Sequence, residues 1–300
     1  MKGCVAVNVA VFSDVHGRIL LCFLLCARWM EETGERIDAI LQAGDLGAYP
    51  SETGMDRATL RHGQRDATEF GFSTDFATSQ DDVARALERT ACPLIFVRGN
   101  HEDHAWLDAL ERQADDALFP VDVYQRVYCL KTGQPYTLRS GDESLDESLD
   151  ESLVVLGIGR VGAPAGTKDV TKPKYLQDYE RERLYDLGAL TLDVLLTHDE
   201  PLHARRPHLG LEEIRLALDT YTPVYHFYGH TEEPFQERLD SNGVTRSIRL
   251  ADLSWQHGSE GRLPPGVMGV LRWRNRDEHT FEVVDAPWLD DYRVWSWRHT

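Results

Sequence analysis

Five places along this 300-residue chain put ligand-type or proton-handling side chains just where an apolar run stops. Leu94, Ile95, Phe96 and Val97 run into Arg98-Gly99-Asn100-His101-Glu102-Asp103, which offers an amide, an imidazole and two carboxylates in consecutive positions. An earlier run ends at Asp14-Val15-His16-Gly17, another at Gly44-Asp45, and two later ones at Thr197-His198 and Gly229-His230. Carboxylate, imidazole and amide oxygen together suit borderline or hard divalent ions such as Mn, Fe, Zn or Co, and no thiolate stands among them. Two such ions about 3.5–4 Å apart can clamp the attacking and leaving oxygens of a phosphoryl transfer and acidify a shared water. An aspartate is the natural bridge between them. The ligand carboxylates cancel part of the ions' charge, and the ions let an acidic site accept an anion.

The elements that must carry these residues read as an α/β alternation. Residues 4–12 are Val-rich and bounded by Ser13 and Asp14, the pattern of a buried strand. A strongly apolar helix over 18–32 ends near Gly34, and a second buried strand spans 37–42. Strand, helix and strand, each strand ending in an acidic residue, predict a parallel arrangement with a site along its carboxyl edge. Helices are expected over 81–89, 102–113 and 211–219, and strands over 94–97, 127–130, 135–139, 154–158, 190–197 and 224–228. Residues 49–79 are polar with little periodicity, which reads as a solvated loop, an insertion or a lid. A tandem Asp-Glu-Ser-Leu repeat fills 142–153 and reads as an acidic hairpin loop of tolerated extra length. Residues 245–300 are β-patterned and hold five of the seven tryptophans, with 267–273 and 280–284 forming a hairpin. No linker-like break separates these parts, so 1–300 is read as one domain.

Composition narrows the function. A formal net charge of −18 argues against a surface that grips extended nucleic acid, since that binding is mostly cation to phosphate. The five cysteines are an odd number, scattered and mostly inside apolar runs, the pattern of buried thiols in a reducing compartment. Residues 19–25 are too short to cross a bilayer, and the first apolar run lacks a small-residue cleavage site. A cytoplasmic protein with no membrane contact is the resulting expectation; a protein partner is not readable.

Taken in order, Asp-x-His, Gly-Asp, Gly-Asn-His-Glu, Thr-His and Gly-His resemble the motifs of the calcineurin-like metallophosphoesterases. The resemblance implies a four-layer α/β/β/α sandwich of two mixed β-sheets flanked by helices, with all ligands on one edge. Position by position it makes Asp14 and His16 ligands of a first metal, Asp45 the bridge, and Asn100, His198 and His230 ligands of a second. His101 falls where the family places the imidazole that serves the leaving oxygen, and Glu102 at an acidic position that would orient it. The implied activity is hydrolysis of a phosphoester by metal-bound hydroxide at a site of two divalent ions. A phosphomonoesterase and a non-catalytic scaffold that keeps the fold are the alternatives, and the presence of His101 speaks against the scaffold.

Two departures from the family pattern stand out. Gly229-His230-Thr231-Glu232 has Glu232 where the family completes its first metal site with a second His, and a carboxylate is an adequate substitute. Gly44-Asp45-Leu46-Gly47 lacks the Asp-Arg-Gly continuation of the protein Ser/Thr phosphatases, which leans the resemblance toward phosphodiesterases. On the substrate side, Arg160 follows Gly159 on a turn where backbone can approach a ligand, and Arg205, Arg206 and His208 form a small basic patch.

Overall fold

The strand-ending residues do converge on one edge, because two sheets present their carboxyl ends side by side. A computed structural model describes residues 6–140, 152–202, 209–231, 233–255 and 261–300. In chain order the strands are β1 (Val7–Phe12), β2 (Ala39–Gln42), β3 (Leu94–Phe96), β4 (Leu118–Pro120), β5 (Val127–Leu130) and β6 (Tyr136–Arg139). They continue with β7 (Ser152–Ile158), β8 (Val194–Thr197), β9 (Tyr225–Tyr228), β10 (Gln236–Leu239), β11 (Arg246–Arg249), β12 (Gly269–Trp273) and β13 (His279–Val283). The helices are α1 (Ile19–Thr33), α2 (Arg57–Gly63), α3 (Asp81–Leu87), α4 (His104–Glu111), α5 (Asp178–Tyr185) and α6 (Glu212–Tyr221).

One sheet has seven strands in the order β13-β12-β1-β2-β3-β5-β4, the other six in the order β10-β11-β9-β8-β7-β6. The first is parallel from β1 through β5, with β12, β13 and β4 antiparallel. The second is parallel from β7 to β9 and β11, with β6 and β10 antiparallel at its edges. Both sheets are mixed, and helices cover both outer faces.

Alternation along the strands builds the layers. In β1, Val9 and Val11 face the second sheet, where they meet Val155, Val194 and Phe227, while Ala10 and Phe12 face α1. With apolar partners on both sides the strand reads as a continuous hydrophobic run, as a doubly covered strand does. Helix α1 buries Ile19 through Ala27 and Trp29, and stops at Gly34, whose left-handed backbone (φ 73°) lets its N–H reach the Met30 carbonyl. On the far face Ile214, Ala217 and Leu218 of α6 pack on Leu156 and Leu195.

Residues 49–79 depart from the solvated-loop reading. They form α2, 3₁₀ turns at Glu52–Gly54 and Ala67–Phe70, and a π turn at Phe72–Phe76, and they bury Thr59, Glu69, Phe72, Asp75 and Phe76. Phe72 and Phe76 anchor them in the α1 core. β6 and β7 pair as the hairpin expected around the acidic repeat, but their connection, 141–151, lies outside the described residues. The C-terminal stretch is incorporated into both sheets through β11, β12 and β13, with Trp273 and Trp297 buried and Trp295 on the surface. No helix among the described residues is long and apolar enough to cross a membrane.

Candidate metal centre

Strand ends alone would aim these side chains loosely; the backbone after each strand fixes them. Asp14, His16, Asp45 and His230 all adopt left-handed φ values between 45° and 70°. Such values are uncommon for residues with a Cβ and cost on the order of 1 kcal/mol or more each. The loops after β1 and β2 are zipped together: Asp14 N–H donates to Gly44 O (3.1 Å), His16 N–H to Asp45 O (2.9 Å) and Gly17 N–H to Leu46 O (2.8 Å). Two motif glycines make room for ligands of other motifs. A Cβ on Gly44 (φ 85°) would lie 2.5 Å from the His198 ring, and one on Gly99 would collide with the Asp45 carboxylate.

The result is two ligand groups with one member in common. Asp14, His16 and Asp45 bring ligand atoms within 4.8 Å of one another, and so do Asp45, His198 and His230. Asn100 joins the second group, its Oδ1 3.2 Å from His198 Nε2. His198 Nε2 is also 3.3 Å from an Asp45 oxygen, while its Nδ1 donates to the Ala43 carbonyl at 2.9 Å. That second bond fixes the tautomer that turns Nε2 toward the cluster, an arrangement common in metal-ligating histidines.

The electrostatics fit a cation. Burial and the charge of Asp45 raise the Asp14 carboxyl, although His198 and the Ser13 hydroxyl counter them. Burial also acts to raise Asp45, but His198, His101 and His16 outweigh it and hold that carboxyl well below its usual range. Burial depresses His16, and it depresses His230 to about 4, where the charge of His198 adds to the effect. Burial opposes protonation of His198 as well, yet Asp45 and Asp14 lift it to about 10. Two buried carboxylates, the neutral imidazoles of His16 and His230, and an amide oxygen form a donor set for divalent ions of the Mn, Fe, Zn or Co type, and the negative charge that holds a proton on His198 would equally favour a metal cation in its place.

His101 stands at the rim. Its N–H donates to Asp45 (2.8 Å), and its ring Nδ1 pairs with Asp56 at 2.7 Å. Burial works against a charged His101, but the Asp56 hydrogen bond and the charges of Asp45 and Asp56 raise it to about 9. Asp56 is held below the usual carboxylate range by that bond and by the Tyr49 hydroxyl (2.6 Å), despite its burial. It also caps α2, accepting from Ala58 and Thr59 N–H. Asp56 went unread in the sequence; the signal that could have found it is an Asp immediately before a short helical segment.

Two expectations change. Glu102 makes no bond to His101: its carboxylate accepts from the N–H groups of Leu46 (2.9 Å), Ala48 (2.6 Å) and Gly99 (3.3 Å), so it braces the loop that carries Asp45. Burial and the charge of Asp45 push it up to about 7 against those three amides. Arg160 is not open to a substrate. It is fully buried, with its guanidinium between Glu180 (2.9 Å) and Asp108 (2.7 Å). Glu232 and the basic residues Arg205, Arg206 and His208 lie outside the described residues. One further carboxylate was missed: Glu69 lies 4.0 Å from His16 Nδ1 and is bound by Arg18.

Comparison with known proteins agrees with this geometry. A family model described as calcineurin-like phosphoesterase matches residues 7–234. No curated protein sequence matches the chain. Among solved structures, TT1561 of Thermus thermophilus superposes with a TM-score of 0.51 at 15% identity, covering 93% of this chain and 100% of that one. GAP50, described as the anchor in the inner membrane complex of Plasmodium, gives 0.51 at 11% identity over 94% of this chain and 85% of its own. At such identities the likeness speaks for the fold.

Proposed function

The chain belongs to the calcineurin-like phosphoesterase family, and from that membership we propose that it is a phosphodiesterase working with two divalent ions. That it is a metal-dependent phosphoric ester hydrolase follows from the family. The finer reading is carried by one observation: two ligand groups share Asp45, and His101, paired with Asp56, stands beside them.

In this reading Asp14 and His16 hold a first ion, Asn100, His198 and His230 a second, and Asp45 both. Bound ions would supply Lewis-acid polarisation of the phosphoryl oxygens and an acidified water. His101 carries the proton for the leaving oxygen, and Asp56 keeps that proton in place through neutral pH by charge and by its bond to Nδ1. Glu102 keeps the Asp45 loop from shifting as charge builds up. Because an anchor protein has the same fold, the fold by itself does not argue for turnover; the His101–Asp56 pair does.

The preference for diesters has an electrostatic argument. A doubly charged monoester gains most from free cationic side chains around its terminal oxygens. Among the described residues, Arg18 is engaged by Asp66 and Glu69, Arg98 by Asp108 and Glu111, and Arg160 by Asp108 and Glu180. A singly charged diester suits such a site better. All four described cysteines are buried and free, which supports a reducing, cytoplasmic setting. The deciding experiment is hydrolysis of a bis-aryl against a mono-aryl phosphate by Mn-supplemented protein. A faster diester is expected; equal or reversed rates overturn the preference.

A further inference from the structure

Behind the second ligand group runs a buried ion cluster that the proposed chemistry does not use. Arg98 immediately precedes Gly99-Asn100-His101 at the end of β3, in the first sheet. Arg160 follows β7, in the second. Both guanidiniums bind the same oxygen of Asp108 on α4, Arg160 at 2.7 Å, and each has a second carboxylate: Glu111 for Arg98 (2.5 Å), which also pairs with Arg183 (2.6 Å), and Glu180 for Arg160 (2.9 Å). The remaining Arg160 donors go to the Pro173 carbonyl, His104 Nδ1 (3.3 Å) and the Tyr179 hydroxyl (3.1 Å).

The backbones meet there as well. Arg160 N–H donates to the Arg98 carbonyl at 2.6 Å. Gly159 lies so close that a Cβ would come within 2.9 Å of Arg98 N. Two residues after Arg160, Gly162 N–H donates to the Asp199 carboxylate at 2.8 Å, and Asp199 is the neighbour of His198. Arg160 holds the left-handed backbone (φ 64°) seen at Asp14, His16, Asp45 and His230, although it stands at a strand end that contributes no ligand. The segment 159–162 therefore touches both loops that feed the second group, the Asn100 loop through Arg98 and the His198 loop through Asp199.

We propose that Asp108, by joining Arg98 to Arg160, is a positioning residue that sets the spacing of Asn100 and His198 across the two sheets, and so the affinity for the second ion. Stability alone is a poor reason for the cluster, since buried ion pairs are commonly matched by apolar residues of similar volume. Fixed geometry is what one carboxylate oxygen shared by two guanidiniums provides. The inference rests on the two-ion reading above.

The test is Mn²⁺ titration of metal-free protein by calorimetry, with circular dichroism to check folding. Asp108→Ala leaves Arg98 with Glu111 and Arg160 with Glu180, and the Asp108 side chain is 25% exposed, so the fold should survive. One of its two affinities should stay as in wild type, while the other weakens about tenfold to a hundredfold, the usual range for groups that orient ligands. Asp108→Asn should fall between the two. Folded Asp108→Ala with both affinities unchanged, or with both weakened alike, overturns the clamp and leaves the two-ion reading standing. Wild type taking up one equivalent overturns both. Should Asp108→Ala not fold, Asp108→Asn decides: selective weakening of one of the two equivalents supports the clamp, and unchanged or uniform affinities overturn it.

Discussion

His101 Nδ1 lies 2.7 Å from an Asp56 oxygen, joining a residue that follows β3 to the cap of α2. Asp56 is at once the first hydrogen-bond acceptor of that helix and the counter-charge of the ring, so ordering the helix and orienting His101 are one event.

The pair predicts a pH profile. With His101 held at about 9, its acid form persists through neutral pH and is lost as pH rises through that value. Asp56→Asn removes the main raising influence, so the alkaline limb of kcat/KM should move to lower pH. An alkaline limb left in place would mean that another group sets it.

His101→Ala should lower turnover by about a hundredfold or more, the scale of a general acid. Metal content measured after gel filtration should match wild type, because the ring is in neither ligand group. Loss of metal would show that His101 holds an ion instead.

Gly99→Ala puts a methyl group into the Asp45 carboxylate. Since Asp45 is the member common to both groups, bound Mn²⁺ should fall for both equivalents, with far-UV dichroism little changed. A variant that keeps its full metal content would show that the Asp45 loop gives way easily.

Acid should destabilise the metal-free protein through buried neutral histidines. Burial pushes His226 down to about 3 from its ordinary 6.5, and His104 likewise. Between those values the unfolded chain binds the proton and the folded one does not. The stabilisation is complete above pH 6.5 and falls by about 1.4 kcal/mol per pH unit below it for each group. Urea unfolding at pH 7 and pH 5 measures this, and His226→Gln should lose less than wild type between the two.

The five residues that the structure gathers into two candidate ligand groups, Asp14, His16, Asp45, His198 and His230, were legible because each sits where an apolar run meets Gly, Asp or His, a pattern set by local sequence. Asp56 was not, because its partner is 45 residues away and nothing in the polar stretch around it has a period. Glu102 and Arg160 were misread for a related reason. A carboxylate ahead of a helix and an arginine after a glycine look solvent-facing until the fold supplies the Leu46 and Ala48 amides to one and Glu180 and Asp108 to the other. Helix α5, Asp-Tyr-Glu-Arg-Glu-Arg-Leu-Tyr, lacks an apolar stripe, and its one fully buried carboxylate, Glu180, is there to meet Arg160.

The pairing of β1 with β12, in the register Val7↔Trp273 through Val11↔Gly269, has a consequence for how the protein is made. β1 carries Asp14 and His16 at its end and leaves the ribosome long before β12, the strand that covers its open side. Until then β1 presents unpaired amides and carbonyls, a template for wrong pairing. Such distant pairings also slow folding. Ion loading at Asp14 and His16 should accordingly wait until β12 has been made, and nascent chains arrested before residue 269 should depend on chaperones to stay soluble.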